Sequence, residues 1–411
     1  MNGLESKNPL RESGAIGTWL ANAMMAAAPA GFAALRRFKP ILKLRNVVIV
    51  SRYDDVREVF SRDEEFDTPY IENIHVLTGG EDFFLGLQQG AAYQAAKRAM
   101  LSVFRTEDLI WLGDMAEERA EKIVDESGAE LEIVDQLVRK VTFDLYMDYI
   151  GIPQVPTENI DVWSTRLFEY QFAGSPKDKE LRAEVDAIAP ALRAHITDEI
   201  VKRKSNGVTK GDVLGRCLKA QSDGEAIFTD DFIRTNLLCM LVGGPPQVPM
   251  VVPQAMEQLL RRPKALDAAR KAAEADDDDR LGAIVMEAAR FDPLAPVLPR
   301  IVLRDTEIAR GTSRQCKVPK GATIYVGFAS AMMDPRRIGN PKEFDPYRGA
   351  HEYVHFGHGL HECFGLHMNR ATLHRILKPV LKRKALSRSP GQAGRLQKRK
   401  IFADRLVVRI S

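Results

Sequence analysis

One loop constrains this chain more than any other stretch: Phe356-Gly357-His358-Gly359-Leu360-His361-Glu362-Cys363-Phe364-Gly365. It delivers a single cysteine to the start of a helical pattern running from about Leu366 to Lys384. Glycines 357 and 359 let the backbone bend tightly and approach a flat ligand. Near a first helical turn, backbone N–H groups and the helix dipole favour a thiolate at Cys363. A thiolate suits a soft or borderline metal. A lone cysteine before a helix is ordinarily structural. A zinc set of His358, His361 and Cys363 lacks a second ligand pair at a usual zinc spacing.

Further upstream, Glu287-Ala288-Ala289-Arg290 lies inside a helical pattern, which puts a carboxylate and a guanidinium on one face. Phe344-Asp345-Pro346-Tyr347-Arg348 follows before the cysteine loop. In this order, with every fixed position of Phe-Gly-x-Gly-x-His-x-Cys-x-Gly filled, the chain resembles the cytochrome P450 family from about Val47 to its C-terminus.

The resemblance implies a mainly α fold with small β-sheets, one large domain enclosing haem. On that reading residues 1–45 are an N-terminal segment packed on a haem domain of residues 46–411. It implies haem b with Cys363 as the axial metal ligand. Phe356, Gly357, Gly359 and Gly365 shape the haem loop, and His361 and Arg300 meet the propionates. Glu287, Arg290 and Arg348 form a structural clamp, because a planar guanidinium holds a carboxylate at two points. The family's His-x-x-x-Arg pair aligns with Tyr93 and Lys97, or with Arg98 after a shift of one. Tyrosine still donates a hydrogen bond, while lysine lacks the arginine fork.

The larger departure lies in the longest helical pattern, Thr229 to about Leu260. Family members that activate O2 carry a small pair, an acid and a threonine there. Gly243 and Gly244 fill the small pair, but Pro246 takes the acid position and Gln247 the threonine position. Neither replacement titrates near neutral pH. Pro245, Pro246, Pro249 and Pro253 remove four N–H donors in nine residues, each costing about 3 kcal/mol or more inside an ordinary helix. A defect of that size over the haem points to function, and Gly243, Gly244 and Gln247 are the candidate catalytic positions. The plainer reading is a helix that opens and fills with water.

Elsewhere the pattern reads as short elements. Asn46 to Val50 is a strand and Tyr53 to Ser61 a helix. Phe66 to Gln88 shows no period and reads as a pocket-lining loop. Helices are expected at Ala92 to Phe104, Thr106 to Ser127, Gln136 to Ile150, Thr157 to Phe172, Lys177 to Arg203, Asp212 to Ala220, Pro263 to Ala273 and Leu281 to Phe291. Strands and turns fill Val297 to Val326 and the segment after Ala385. Asp276 to Asp279 reads as a solvated turn, and residues 1–14 as loosely held.

Net charge is +3 over 411 residues, which gives no argument for nucleic acid. Cysteines 217, 239, 316 and 363 have no framework spacing and read as a reduced, cytoplasmic set. Ala15 to Leu35 is the most apolar run, but Asn22, Pro29 and Gly31 interrupt it. It reads as an amphipathic helix on the domain, with no transmembrane span.

For the substrate pocket, the resemblance points to Phe83, Phe84, Phe172, Leu241, Val297 and Leu298, with Phe168, Tyr170 and Leu294 beside them. It implies a hydrophobic small-molecule substrate and a ferredoxin or flavodoxin redox partner. Lys97, Arg98, Arg336, Arg337, Arg370, Arg375, Lys378, Lys382, Arg383 and Lys384 fall on the cysteine side, as a steering patch or a solvated face. The leading function is monooxygenation with O2 and electrons from that partner. A peroxide-using or non-oxygenating haem-thiolate enzyme, and a non-enzymatic haem-binding or sensing protein, remain as alternatives.

Overall fold

Apolar residues at helical spacing build most of this molecule, and β-branched runs build one sheet beside them. The computed structural model describes residues 10–11, 15–155, 159–174, 177–207 and 210–410. Helix α1 (Ala15–Phe38) leads into a hairpin, β1 (Ile41–Leu44) and β2 (Val47–Val50), turned by Arg45 at φ 53°. Strand β1 was not anticipated. Its alternation is weak because only Ile41 is buried. The hairpin straddles the boundary expected at residue 45. Near its C-terminus α1 is tied down by Arg36, which donates to the Ser330 hydroxyl at 2.7 Å.

Helix α2 (Tyr53–Ser61) buries Val56, Val59 and Phe60, as expected. The stretch from 66 to 88 is more ordered than its lack of period implied. It holds β3 (Phe66–Asp67) and α3 (Ile71–Thr78), which Gly79 ends in the left-handed conformation. Helices α4 (Ala91–Val103) and α5 (Asp108–Glu126) follow. After β4 (Glu130–Glu132), residues Ile133–Arg139 wind as a π-helix into α6 (Lys140–Ile150). Helix α7 (Ile160–Phe168) also ends in a π-turn, Glu169–Ala173. The expected start at Thr157, and Ser175 and Pro176 at the following turn, lie outside the described residues.

The longest described helix is α8 (Lys179–Asn206), not the proline-bearing segment. Leu10 and Arg11 are held rather than loose. Leu10 joins the core, and Arg11 bonds Asp178 at 2.6 Å. The other residues of the first 14 lie outside the described part. Helix α9 (Val213–Ser222) is capped by Asp212 and α10 (Asp230–Gly243) by Thr229. The pattern then breaks: Pro245–Gln247 form one 3-10 turn, and α11 (Val248–Leu260) starts afresh.

The break relocates the cost expected of four prolines. Pro245 and Pro246 open the turn and Pro249 lies in the first turn of α11, where an N–H has no intrahelical partner anyway. Pro253 alone lies inside a helix.

Helices α12 (Pro263–Glu274) and α13 (Asp278–Phe291) complete the central bundle. The acidic run before α13 is not simply solvated. Asp277 caps the helix, while Asp276 and Asp278 each lie 3.0 Å from the buried ammonium of Lys378. Strands β5 (Leu298–Val302), β6 (Thr306–Ile308), β7 (Cys316–Val318) and β8 (Thr323–Val326) follow, and then the short α14 (Phe328–Ala331). The largest sheet has the order β1-β2-β8-β5-β3. Helix α15 (Leu366–Leu381) packs between α5 and α13, and short C-terminal strands close the chain. Among the described residues, no helix is long and apolar enough to cross a membrane.

Candidate active site

The cysteine loop is shaped by its glycines. Gly357 and Gly359 take φ of 80° and 79°, which side chains rarely adopt. A Cβ at Gly359 would lie 2.6 Å from the Phe60 carbonyl oxygen. The N–H of Cys363 returns to the carbonyl of Phe356 at 2.8 Å and closes the loop. Burial pushes the Cys363 thiol up to about 11, against the Gly365 N–H and with the help of Glu362. The helix terminus therefore does not make a thiolate by itself; burial outweighs it, and a bound cation has to supply the difference.

Cys363 opens on a cavity of about 660 Å³, within the range of ligand pockets. Phe356, Gly357, His361 and Gly365 line it, as do Gly243, Gly244 and Gln247 from the facing break between α10 and α11. Phe83, Phe172, Val297 and Leu298 line it as expected, along with Phe168 and Leu294. Phe84, Leu241 and Gly359 do not. Phe84 turns its ring onto Phe364 at 5.4 Å and Tyr93 at 6.3 Å. Leu241 faces the core with no exposed surface, and Gly359 serves the turn alone. Tyr170 is not among the lining residues; its hydroxyl accepts from Arg182 at 3.2 Å.

Two cationic or donor groups in the cavity wall have no adequate protein partner. Arg300 is 3% exposed, yet its one described hydrogen bond is to the neighbouring Pro299 carbonyl at 3.0 Å. Burial lowers its pKa, opposed by Tyr70, Asp63 and Asp67. Neither ring nitrogen of His361 has a hydrogen-bond partner of good geometry. Burial and the Arg300 charge push this imidazole down to about 4. A buried guanidinium without an anion is costly. The two groups therefore fit an anionic ligand edge, and with Cys363 they fit haem.

Tyr93 and Lys97 are placed elsewhere. They line a separate polar groove with Asp63, Glu64 and Gln88. The Tyr93 hydroxyl donates to the Leu360 carbonyl at 2.9 Å and accepts from Lys97 at 3.1 Å. The pair therefore braces the cysteine loop through the Leu360 carbonyl. The zinc alternative also fails. His358 pairs with Arg57 at 2.8 Å, and no described His, Cys, Asp and Glu side chains cluster to hold a metal ion.

Behind the loop, Arg290 donates to both oxygens of Glu287 at 2.7 Å. Glu287 also accepts from Arg348 Nε at 3.3 Å and from the Asp345 N–H at 3.0 Å. Arg348 spreads further to the carbonyls of Asn340 and Glu343 at 2.9 and 3.0 Å. One buried carboxylate thus pins the irregular segment from 340 to 353.

Sequence reasoning missed Tyr353, whose hydroxyl completes the Glu287 shell at 3.2 Å. It also missed Tyr146, which reaches the cavity from α6 and fills the space a Cβ at Gly244 would need, 2.6 Å away. Thr68 and Tyr70 add polar groups to an otherwise apolar wall. No local motif marks these residues. Only the glycine at 244 carried a signal, as a place where another side chain comes close.

A half-buried cysteine at a helix start, a buried arginine in the cavity wall and a carboxylate clamp behind are the elements of a haem-thiolate oxygenase. The cytochrome P450 family model matches residues 164–404, and the chain belongs to that family. It is an oxidoreductase of the monooxygenase class, with haem b held by a cysteine thiolate as cofactor. Erythromycin C-12 hydroxylase of Saccharopolyspora erythraea is 25% identical over 292 residues, covering 69% of this chain and 70% of that one. The ligand-free structure of cytochrome P450 TbtJ1 matches with a TM-score of 0.78 at 21% identity, covering 94% of this chain and 98% of that one. P450BioI in complex with hexadec-9Z-enoic acid ligated acyl carrier protein matches with a TM-score of 0.79 at 18% identity, over 95% and 100% of the two chains.

Proposed function

We propose that this enzyme inserts one oxygen atom of O2 into an apolar small molecule, with Cys363 as the residue that would ligate its haem iron. The observation that carries this is the cavity between Cys363 and the break at Gly243-Gly244, walled by Phe83, Phe168, Phe172, Val297 and Leu298. When bound, the haem supplies O2 activation and oxygen transfer. The chain's own residues hold and shape. Arg300 and His361 would hold the anionic edge of the haem, and Glu287, Arg290 and Arg348 keep the cysteine loop fixed. The aromatic wall excludes water and orients an apolar substrate. One oxygen atom enters the product and the other leaves as water, with two protons from solvent and two electrons from a separate ferredoxin or flavodoxin.

A second reading rests on Pro246 and Gln247. They leave no titratable side chain at the helix break, which favours peroxide as oxidant, or a conversion needing no external oxygen. Product analysis separates the readings. The haem-loaded protein is given apolar candidates under labelled O2 with reductase and ferredoxin, with peroxide alone, and anaerobically. Labelled product only in the first condition supports the monooxygenase. Product in either of the others moves the assignment to the second reading. A Cys363→Ala variant should lose the thiolate-type absorbance of the reduced carbon monoxide complex; its survival would remove Cys363 as ligand.

A further inference from the structure

The side chain of Gln247 repairs the helix break in a way that fixes which end of its amide faces the cavity. Gly244 turns out of α10 with φ −95° and ψ −77°. The N–H of Gln247 then bonds the Gly244 carbonyl at 3.3 Å instead of the Gly243 carbonyl one turn back. Gly243 would be left without a partner, but Gln247 Nε2 donates to its carbonyl oxygen. Only the NH2 end of an amide can face a carbonyl, so the orientation is not free to flip.

Oε1 is what remains. Gln247 lines the cavity, and its Oε1 accepts no hydrogen bond from any described residue, nor is it among the fully occluded polar atoms. The local sequence offers few donors, because Pro245, Pro246 and Pro249 have no N–H. Tyr146, packed on Gly244, makes no described hydrogen bond to it. The position therefore presents an unpartnered acceptor; the Gln171 amide oxygen is another in the same wall, and Gln247 is the one beside the helix break that faces Cys363.

We propose that Gln247 Oε1 determines specificity: the substrate is an apolar molecule carrying an O–H or N–H donor, which this oxygen accepts. The inference rests on the apolar-substrate reading above and narrows it. A ligand without a donor leaves the acceptor desolvated and unpaired, which costs roughly tenfold in affinity.

The test uses the full haem-loaded chain and matched probes, each an apolar alcohol beside its methyl ether: dodecan-1-ol, cyclododecanol and 2-adamantanol. Binding is read from the high-spin shift of the Soret band and by calorimetry. The alcohol that fits should bind about tenfold tighter than its ether. Gln247→Leu should bring that ratio to about one while the ether still binds. Equal affinities in the wild type overturn the inference and leave the apolar reading standing. No binding by any probe overturns both. A ratio that persists in Gln247→Leu also overturns it, because the acceptor is then elsewhere. If the leucine variant does not hold haem, the wild-type ratio decides alone. A purely structural role for Gln247 would not move this ratio.

Discussion

Arg290 grips both carboxylate oxygens of Glu287 at 2.7 Å, and neither side chain has exposed surface. The pair lies in α13, yet its other bonds run to Met332, Pro341, Glu343, Asp345 and Tyr353. A helix thus holds a long, mostly irregular segment whose one described regular element is the 3-10 turn Ala350–Glu352. Replacing Glu287 with Gln keeps the shape but leaves Arg290 and Arg348 buried beside a neutral group. Breaking one side of a buried pair costs about 3–5 kcal/mol. Urea unfolding of Glu287→Gln should show a loss of that order, with haem lost before the helices melt. Simultaneous loss of haem and helix at the wild-type midpoint would contradict the clamp.

Arg300 should matter for holding haem more than for folding. Its guanidinium is buried without a described ion pair, and the charges of Asp63 and Asp67 offset the burial only in part. Arg300→Met should leave the apo protein as stable or more stable, while haem dissociates faster. A lost charged hydrogen bond is worth about 1.5–3 kcal/mol, or roughly ten- to a hundredfold in rate. Transfer of haem to apomyoglobin measures this. An unchanged transfer rate would remove Arg300 from the propionate site.

How far the sequence reached is instructive at single residues. Cys363, Glu287 and Arg290 were legible because their chemistry is local: a glycine loop before a helix, and a carboxylate one turn from an arginine. Tyr93 and Lys97 could be aligned beside the cysteine loop, but their bonds to the Leu360 carbonyl and to each other were not legible, because alignment carries a position across but not the reach of the new side chain. The cost of the four prolines was overestimated, since spacing alone does not reveal where a helix restarts. Tyr146 and Tyr353 were invisible because they act across elements over 60 residues apart. Helix α3 was missed because eight residues hold too few turns to show a period.

Six of the ten basic residues near the cysteine side are paired with carboxylates; Lys97, Arg98, Arg370 and Lys384 have no described ion pair. Arg336 pairs with Asp334 at 3.0 Å, Arg337 with Asp54 at 2.8 Å and Lys382 with Asp276 at 2.7 Å. Arg375 and Lys378 share Glu117 and Asp278, and Arg383 pairs with Asp125. Neutralised pairs present little field beyond a Debye length of about 10 Å at 0.1 M salt. Reduction by a ferredoxin should therefore slow less than about threefold between low and moderate salt, where a steered association falls steeply. Stopped-flow reduction rates against ionic strength check this. A steep decline would restore the steering patch.

Stability should fall in mild acid partly through His374. It lies on α15 against Gly282 and is not among the residues that line the Cys363 cavity. Burial pushes its imidazole down to about 4; Asp278 opposes this, and Arg375 adds to it. Of the other groups facing it, Lys378 works in the same direction. The sign follows from proton uptake. The unfolded chain binds a proton near pH 6.5, while the folded chain resists until about 4. The contribution is present above 6.5 and lost progressively as pH falls to 4, for a total on the order of 3 kcal/mol. Denaturant unfolding of His374→Gln should show a shallower decline across that window and lower stability loss on acidification. If wild type and variant fall in parallel between pH 6.5 and 4, then His374 titrates in the folded protein much as it does unfolded.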